Sequence, residues 1–147
     1  MARWIGRALA LVACTGTLVL AQDSMKDWLA RILDPASVGM TMPEGATLNR
    51  KITVDTIRYD REHPERKIAV YMVPIDKLGD ARAHVTRTLG IEPLSGTDAK
   101  GFERHLFDCT GPAKCPAPSK GLVVTIFRSP WVDGMAQIQL EHPRTKP

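Results

Sequence analysis

Cysteine and histidine are the side chains that most often hold metals, carry redox chemistry or act as bases near neutral pH, and this chain has three Cys and four His. Cys109 and Cys115 enclose the span Cys-Thr-Gly-Pro-Ala-Lys-Cys. Gly111 and Pro112 let so short a loop fold back on itself, and an even pair of cysteines in an oxidising compartment is expected to close as a disulfide. On the chain-entropy estimate that closure stabilises by about 2 to 2.5 kcal/mol. The spacing is too wide for a C-x-x-C redox pair. His105, four residues before Cys109, would be a third metal ligand, but zinc sites use closer cysteine pairs and need a fourth donor. No metal is assigned.

The other histidines have plain settings: His63 in a polar turn beside Pro64, His84 on a helix, and His142 at the end of a strand. Met40 and Met42 are too few thioethers for a copper site and suit packing. No G-x-S-x-G elbow, P-loop, G-x-G-x-x-G, H-E-x-x-H or EF-hand loop occurs. The sequence therefore assigns no catalytic residue and no cofactor. A dispersed hydrolase-like site remains chemically open, since histidines and carboxylates far apart in sequence can assemble one. His105 is the histidine to test for it, although its plain reading is structural.

One segment points to recognition. Phe127-Arg128-Ser129-Pro130-Trp131-Val132-Asp133-Gly134 reads as a hairpin tip, and Asp133-Gly134 supplies its turn. Exposed Trp and Arg serve binding surfaces, which makes Arg128, Trp131 and Asp133 the candidate binding residues. In the plain alternative Trp131 folds back over the core, and Pro130 only discourages strand pairing at the edge.

The address of the protein is written at its N-terminus. Arg3 and Arg7 precede an uncharged, largely apolar run, Ala8 to Ala21, that ends in Val19-Leu20-Ala21 before Gln22 and Asp23. That is the layout of a secretory signal peptide cleaved between Ala21 and Gln22. Fourteen uncharged residues are short for a bilayer, which needs about 20. Leu11-Val12-Ala13-Cys14 matches the lipobox of bacterial lipoproteins, so lipidation at Cys14 is the alternative; the apolar run continuing to Leu20 argues for Ala21. Arg3 and Arg7 also supply two of the four net positive charges. The remaining charges alternate in sign, as in Arg58-Tyr59-Asp60-Arg61-Glu62, which is a solvated surface and not a phosphate-binding stripe. Nucleic acid is excluded as a partner on that ground.

The elements that must position these residues follow from periodicity. Met25, Trp28, Leu29 and Ile32 form one stripe of a helix over Asp23 to Asp34, expected to pack on the domain. Residues 22–46 are thus an amphipathic helix and linker. Thr47 to Tyr59 and Ile68 to Ile75 read as strands; Lys77 to Leu89 reads as a helix capped by Gly90. Three strands follow, at Phe102 to Cys109, Gly121 to Arg128 and Met135 to His142. A charged fraction of 24% and a hydrophobic fraction of 44% are those of a globular domain. The expected fold is α+β over residues 47–142: a mainly antiparallel five-stranded sheet, in the order helix-β-β-helix-β-β-β, with helices on one face and a frayed tail at 143–147.

These features describe an exported, periplasmic or secreted, non-enzymatic module that binds a protein or another component of the bacterial envelope. Membrane contact is expected only through lipidated Cys14 or an uncleaved signal. The intact mass of the processed protein is the check: loss of residues 1–21 is expected, whereas a lipid-bearing N-terminal Cys14 would replace that reading with the anchored one.

Overall fold

The computed structural model describes residues 24–143. The signal region with Cys14, the Ala21–Gln22 junction and tail residues 144–147 lie outside the described residues. The chain divides between Ala30 and Arg31, and the described part of the first unit, residues 24–30, is helical. The helix expected to continue to Asp34 stops short of it. Asp34 instead accepts the Ala36 N–H and caps a 3-10 turn, Pro35–Val38, because proline bars a continuing helix and an N-capping Asp starts a new one.

In the second unit the elements are β1 (Thr47–Leu48), α1 (Arg50–Tyr59), β2 (Lys67–Pro74), α2 (Leu78–Leu89), β3 (Leu94–Thr97), β4 (Glu103–Asp108), β5 (Val123–Arg128) and β6 (Met135–His142). They form one α+β domain with a six-stranded antiparallel sheet ordered β1-β2-β6-β5-β4-β3. Its longest pairing joins β2 to β6, from Lys67 opposite His142 to Pro74 opposite Met135.

Two expectations change. Thr47 to Tyr59 is not one strand: β1 has two residues, and the rest is α1. Ile52, Thr53, Val54, Thr56 and Ile57 carry strong β propensity, but tertiary context overrides propensity. Asn49 turns the chain by accepting the Ile52 N–H on its side chain, and the Thr53 and Thr56 hydroxyls bond back to the carbonyls of Asn49 and Ile52. The sheet also gains β3, whose four residues are all exposed. Leu-Ser-Gly-Thr has no alternating apolar signal, and the strand is held by β4 alone.

One face of the sheet carries the main core. Ala69 and Val73 of β2, Ala136, Ile138 and Leu140 of β6, Val124 and Ile126 of β5 and Phe107 of β4 pack with Leu78, Ala81, Val85 and Leu89 of α2. This is the period-2 face of a sheet meeting the stripe of a helix. Leu33, Val38 and Met40 join the same cluster, with Met42 against it, so the two methionines are packing residues. The expected placement of helices on one face holds for α2. Helix α1 is outside that layer: its buried Thr53 and Ile57 are not part of the cluster, nor are Ile68, Val70 and Met72, which alternation turns to the opposite face.

Helix α1 instead lies along the outer edge of β2. The Val70 N–H donates to the Thr53 hydroxyl at 3.0 Å, and the Asn49 N–H donates to the Val70 carbonyl at 2.9 Å. Further along the edge, Ile68 exchanges hydrogen bonds with Arg31 and Leu33, forming a parallel bridge from Ile32. Removing only the Thr53 hydroxyl, as in Thr53→Val, leaves the buried Val70 amide without its acceptor. A loss of about 1 to 3 kcal/mol is expected, read as a lower urea midpoint at unchanged slope.

Candidate functional site

Ser129 shapes the hairpin between β5 and β6. Its hydroxyl accepts the N–H groups of Trp131 and Val132 and donates to the Gln137 side-chain oxygen at 2.9 Å. Ser129 and Gln137 are both buried, so the turn is pinned from below. The Ser129 N–H donates to the Met135 carbonyl, and Gly134 adopts φ 71°, a left-handed conformation that glycine accepts without steric cost. Trp131 is then held out from the tip, 73% exposed. It does not fold back over the core.

Trp131 faces α1 across a cleft of about 510 Å³ whose other walls are Lys51, Ile52, Asp55, Thr56 and Tyr59. These positions recur at helical spacing, so one face of α1 lines it. Tyr59 is 74% exposed, and Lys51 and Asp55 form an ion pair across one turn at 3.2 Å. Two open aromatic rings with Ile52 between charged rims have the make-up of a recognition pocket.

The three hairpin residues singled out from the sequence do not line one cleft. Arg128 and Asp133 line a different cleft with Asp98, Lys100, Phe102, Ser129 and Pro130. The Arg128 guanidinium stands over the Phe102 ring at 4.6 Å, a cation–π contact that fixes it on that side. Tyr59 and Ile52 belong beside Trp131 instead, and reading α1 as a strand hid them. A cleft of about 530 Å³ along α2 is lined by charges of both signs, Glu44, Lys77, Asp80 and Arg87, and has no aromatic anchor.

Cys109 and Cys115 are joined as a disulfide with Cα atoms 5.8 Å apart, and both sit in the main core. The bridge ties the loop after β4 to the sheet, where Cys109 exchanges backbone bonds with Gly121 and Leu122. Next to it, Asp108 accepts the hydroxyl and the amide of Thr110. Those bonds favour the charged carboxylate and hold its pKa below the usual range. On β2, burial and then the nearby negative charge of Asp34 push the Tyr71 phenol up, so it stays neutral at physiological pH.

His105 is almost wholly buried, 1% exposed. Its Nδ1 lies 2.7 Å from the Ser95 hydroxyl on β3, and its Nε2 lies 2.6 Å from Glu103 Oε1. The Glu103 contact is close but off the N–H axis, so Nε2 makes no well-aligned hydrogen bond. Ser95 carries no sequence signal, since β3 itself had none, whereas Glu103 stands on β4, where strand alternation puts it on the face of His105. His84 bonds Thr41, His142 reaches the Lys120 carbonyl, and His63 lies 3.8 Å from Glu65. Among the described residues no group of three or more His, Cys, Asp or Glu is placed to hold a metal, and no helix is long and apolar enough to cross a membrane.

Comparison with protein-family models, curated proteins and solved structures finds no match. The site is therefore read from its own chemistry. The disulfide gives a direct check: unreduced protein should take up no alkylating label at Cys109 or Cys115, and both should label after reduction. Two labelled thiols without reduction would remove the bridge from the fold.

Proposed function

We propose that this is an exported binding module of the periplasm or extracellular space, which grips a protein or another envelope component in the cleft between α1 and the Trp131 hairpin. One observation carries the reading: Trp131 and Tyr59 stand 73% and 74% exposed on opposite walls of one cleft. Isolated apolar side chains on a surface are ordinary, but aromatic pairs held in register by a pinned turn and a helix are the anchors of recognition sites. Aromatic rings bring large contact area at little cost in conformational entropy, and Lys51 with Asp55 gives the rim polar contacts of both signs.

Export is supported by two independent features. The layout of Arg3, Arg7, the apolar run and Ala21 is that of a secretory signal, and a disulfide such as Cys109–Cys115 persists in oxidising compartments. Lipidation at Cys14 would keep the same domain at a membrane surface and leave the cleft unchanged.

The binding reading is tested by comparing wild-type protein with Trp131→Ala and Tyr59→Ala as baits for crosslinked envelope fractions. Each truncation of an anchor residue should cost about 1 to 3 kcal/mol, roughly a 5- to 150-fold loss of capture, with unchanged thermal stability because both residues are exposed. Equal capture by all three baits would overturn the cleft as the binding site.

A further inference from the structure

The buried histidine on β4 has neighbours that a structural role does not require. Ser95 lies directly opposite His105 in the β3–β4 pairing, and Glu103 precedes His105 by two positions on the same face of β4. The chain Ser95 Oγ, His105 Nδ1, His105 Nε2, Glu103 Oε1 runs through contacts of 2.7 and 2.6 Å. Electrostatics selects the tautomer. With the carboxylate beside Nε2, that nitrogen carries the proton, because a lone pair there would face negative charge. Nδ1 is then the free base, and it faces the serine hydroxyl.

The backbone supplies a further part. At the hairpin end the Asp98 N–H donates to the Phe102 carbonyl at 2.8 Å. Antiparallel pairs alternate between bonded and non-bonded, so Gly96–Arg104 is a bonded pair and Ser95–His105 is not. The Ser95 N–H therefore points outward from the open edge of the sheet, on an exposed strand. Beside Glu103 is a cleft of about 290 Å³ with Ile75, Leu78, Gly79, Phe102 and Arg128 as its other walls. Ile75, Leu78 and Phe102 give it apolar walls for an acyl chain, between the charges of Glu103 and Arg128.

We infer that Ser95, His105 and Glu103 form a nucleophilic centre for acyl transfer from small carboxylic esters. Ser95 Oγ attacks the ester carbonyl carbon while its proton passes to His105 Nδ1, and the outward Ser95 N–H donates to the carbonyl oxygen as it gains charge. The C–O bond to the alcohol then breaks, and the leaving oxygen takes the proton from Nδ1. Water attacks the acyl-serine by the same route, giving its proton to Nδ1 and releasing the carboxylic acid as Ser95 Oγ is reprotonated. Glu103 is a positioning residue that acts through the imidazole, stabilising the imidazolium formed at each step. The arrangement has one backbone donor at the oxyanion, which matches esters in preference to amides, whose leaving groups are poorer.

The test uses the full mature chain with two probes, a fluorophosphonate and p-nitrophenyl acetate. The expected result is a single adduct on Ser95 with either probe, absent in Ser95→Ala. His105→Gln should slow labelling by about 100-fold or more, the lower end of a general base's contribution. His105 is buried and its variant can fail to fold, so Glu103→Gln, at an exposed position, is the second arm. It should slow labelling by roughly 10-fold at unchanged thermal stability, and Glu103→Asp, which keeps the carboxylate, should recover part of that rate. Three results would each overturn the inference: no adduct on wild-type Ser95, adducts spread over other serines at equal rates, or a Glu103→Gln labelling rate identical to wild type.

Discussion

Every backbone N–H and C=O on the outer edge of β2 must find a partner, and the domain is organised around meeting that demand. β6 satisfies the inner edge along eight residues. On the outer edge the residues facing away from β6 are Ile68, Val70 and Met72, and three unrelated segments serve them. Arg31 and Leu33 take Ile68, Asn49 and Thr53 take Val70, and Thr47 of β1 pairs with Met72. A regular strand would have done this with one ladder. The chain uses a bridge, a threonine hydroxyl and a two-residue strand instead, which leaves no long edge open for another molecule to pair with. Helix α1 is where it is because Thr53 has to reach Val70.

That placement links the hidden edge to the exposed cleft. Once Thr53 is fixed at β2, helical periodicity turns Ile52, Thr56 and Tyr59 to another side, where Trp131 stands opposite. The hairpin is fixed from its own end by the Ser129 hydroxyl and Gln137. Neither wall of the cleft depends on long flexible side chains for its position. The opposite edge of the sheet is treated differently: β3 is short, exposed and held on one side only. A strand there keeps outward backbone groups free, and the same strand carries Ser95.

What could be read from the sequence follows the strength of local signals. The run Ile68 to Val73 announced a buried strand by its near-continuous apolar residues, and Met135 to His142 by its alternation. Leu78, Ala81, Val85 and Leu89 announced α2 by helical spacing, with Gly90 as its stop. The cysteine pair was legible from its even number, the proposed export signal and the short loop with Gly111 and Pro112 between the two residues. Residues 50–59 misled, because five β-branched residues in a short window outweigh one asparagine cap when propensity alone is consulted. The cap and the bond from Val70 to Thr53 depend on a strand seventeen residues away, which no local pattern records. β3 was missed for the opposite reason, having too little apolar character to register at all. Both omissions mattered at the sites: one hid Tyr59 and Ile52 from Trp131, the other hid Ser95 from His105.

Arg31 bounds the domain on its N-terminal side. Its guanidinium donates to the carbonyls of Ile57, His63 and Arg66 and meets the Asp60 carboxylate at 3.4 Å, and Asp60 in turn lies 3.8 Å from Arg66. In mechanical terms this is a clamp at the point where the chain enters the fold. Tension applied through the preceding residues reaches Arg31 first and is shared among the α1 C-terminus, the turn after it and the start of β2. The bridge at Ile68 carries the rest as shear between strands running the same way. A tether attached upstream would thus load the α1 end that carries Tyr59, one wall of the cleft, while the Trp131 wall keeps its own anchorage through Ser129 and Gln137.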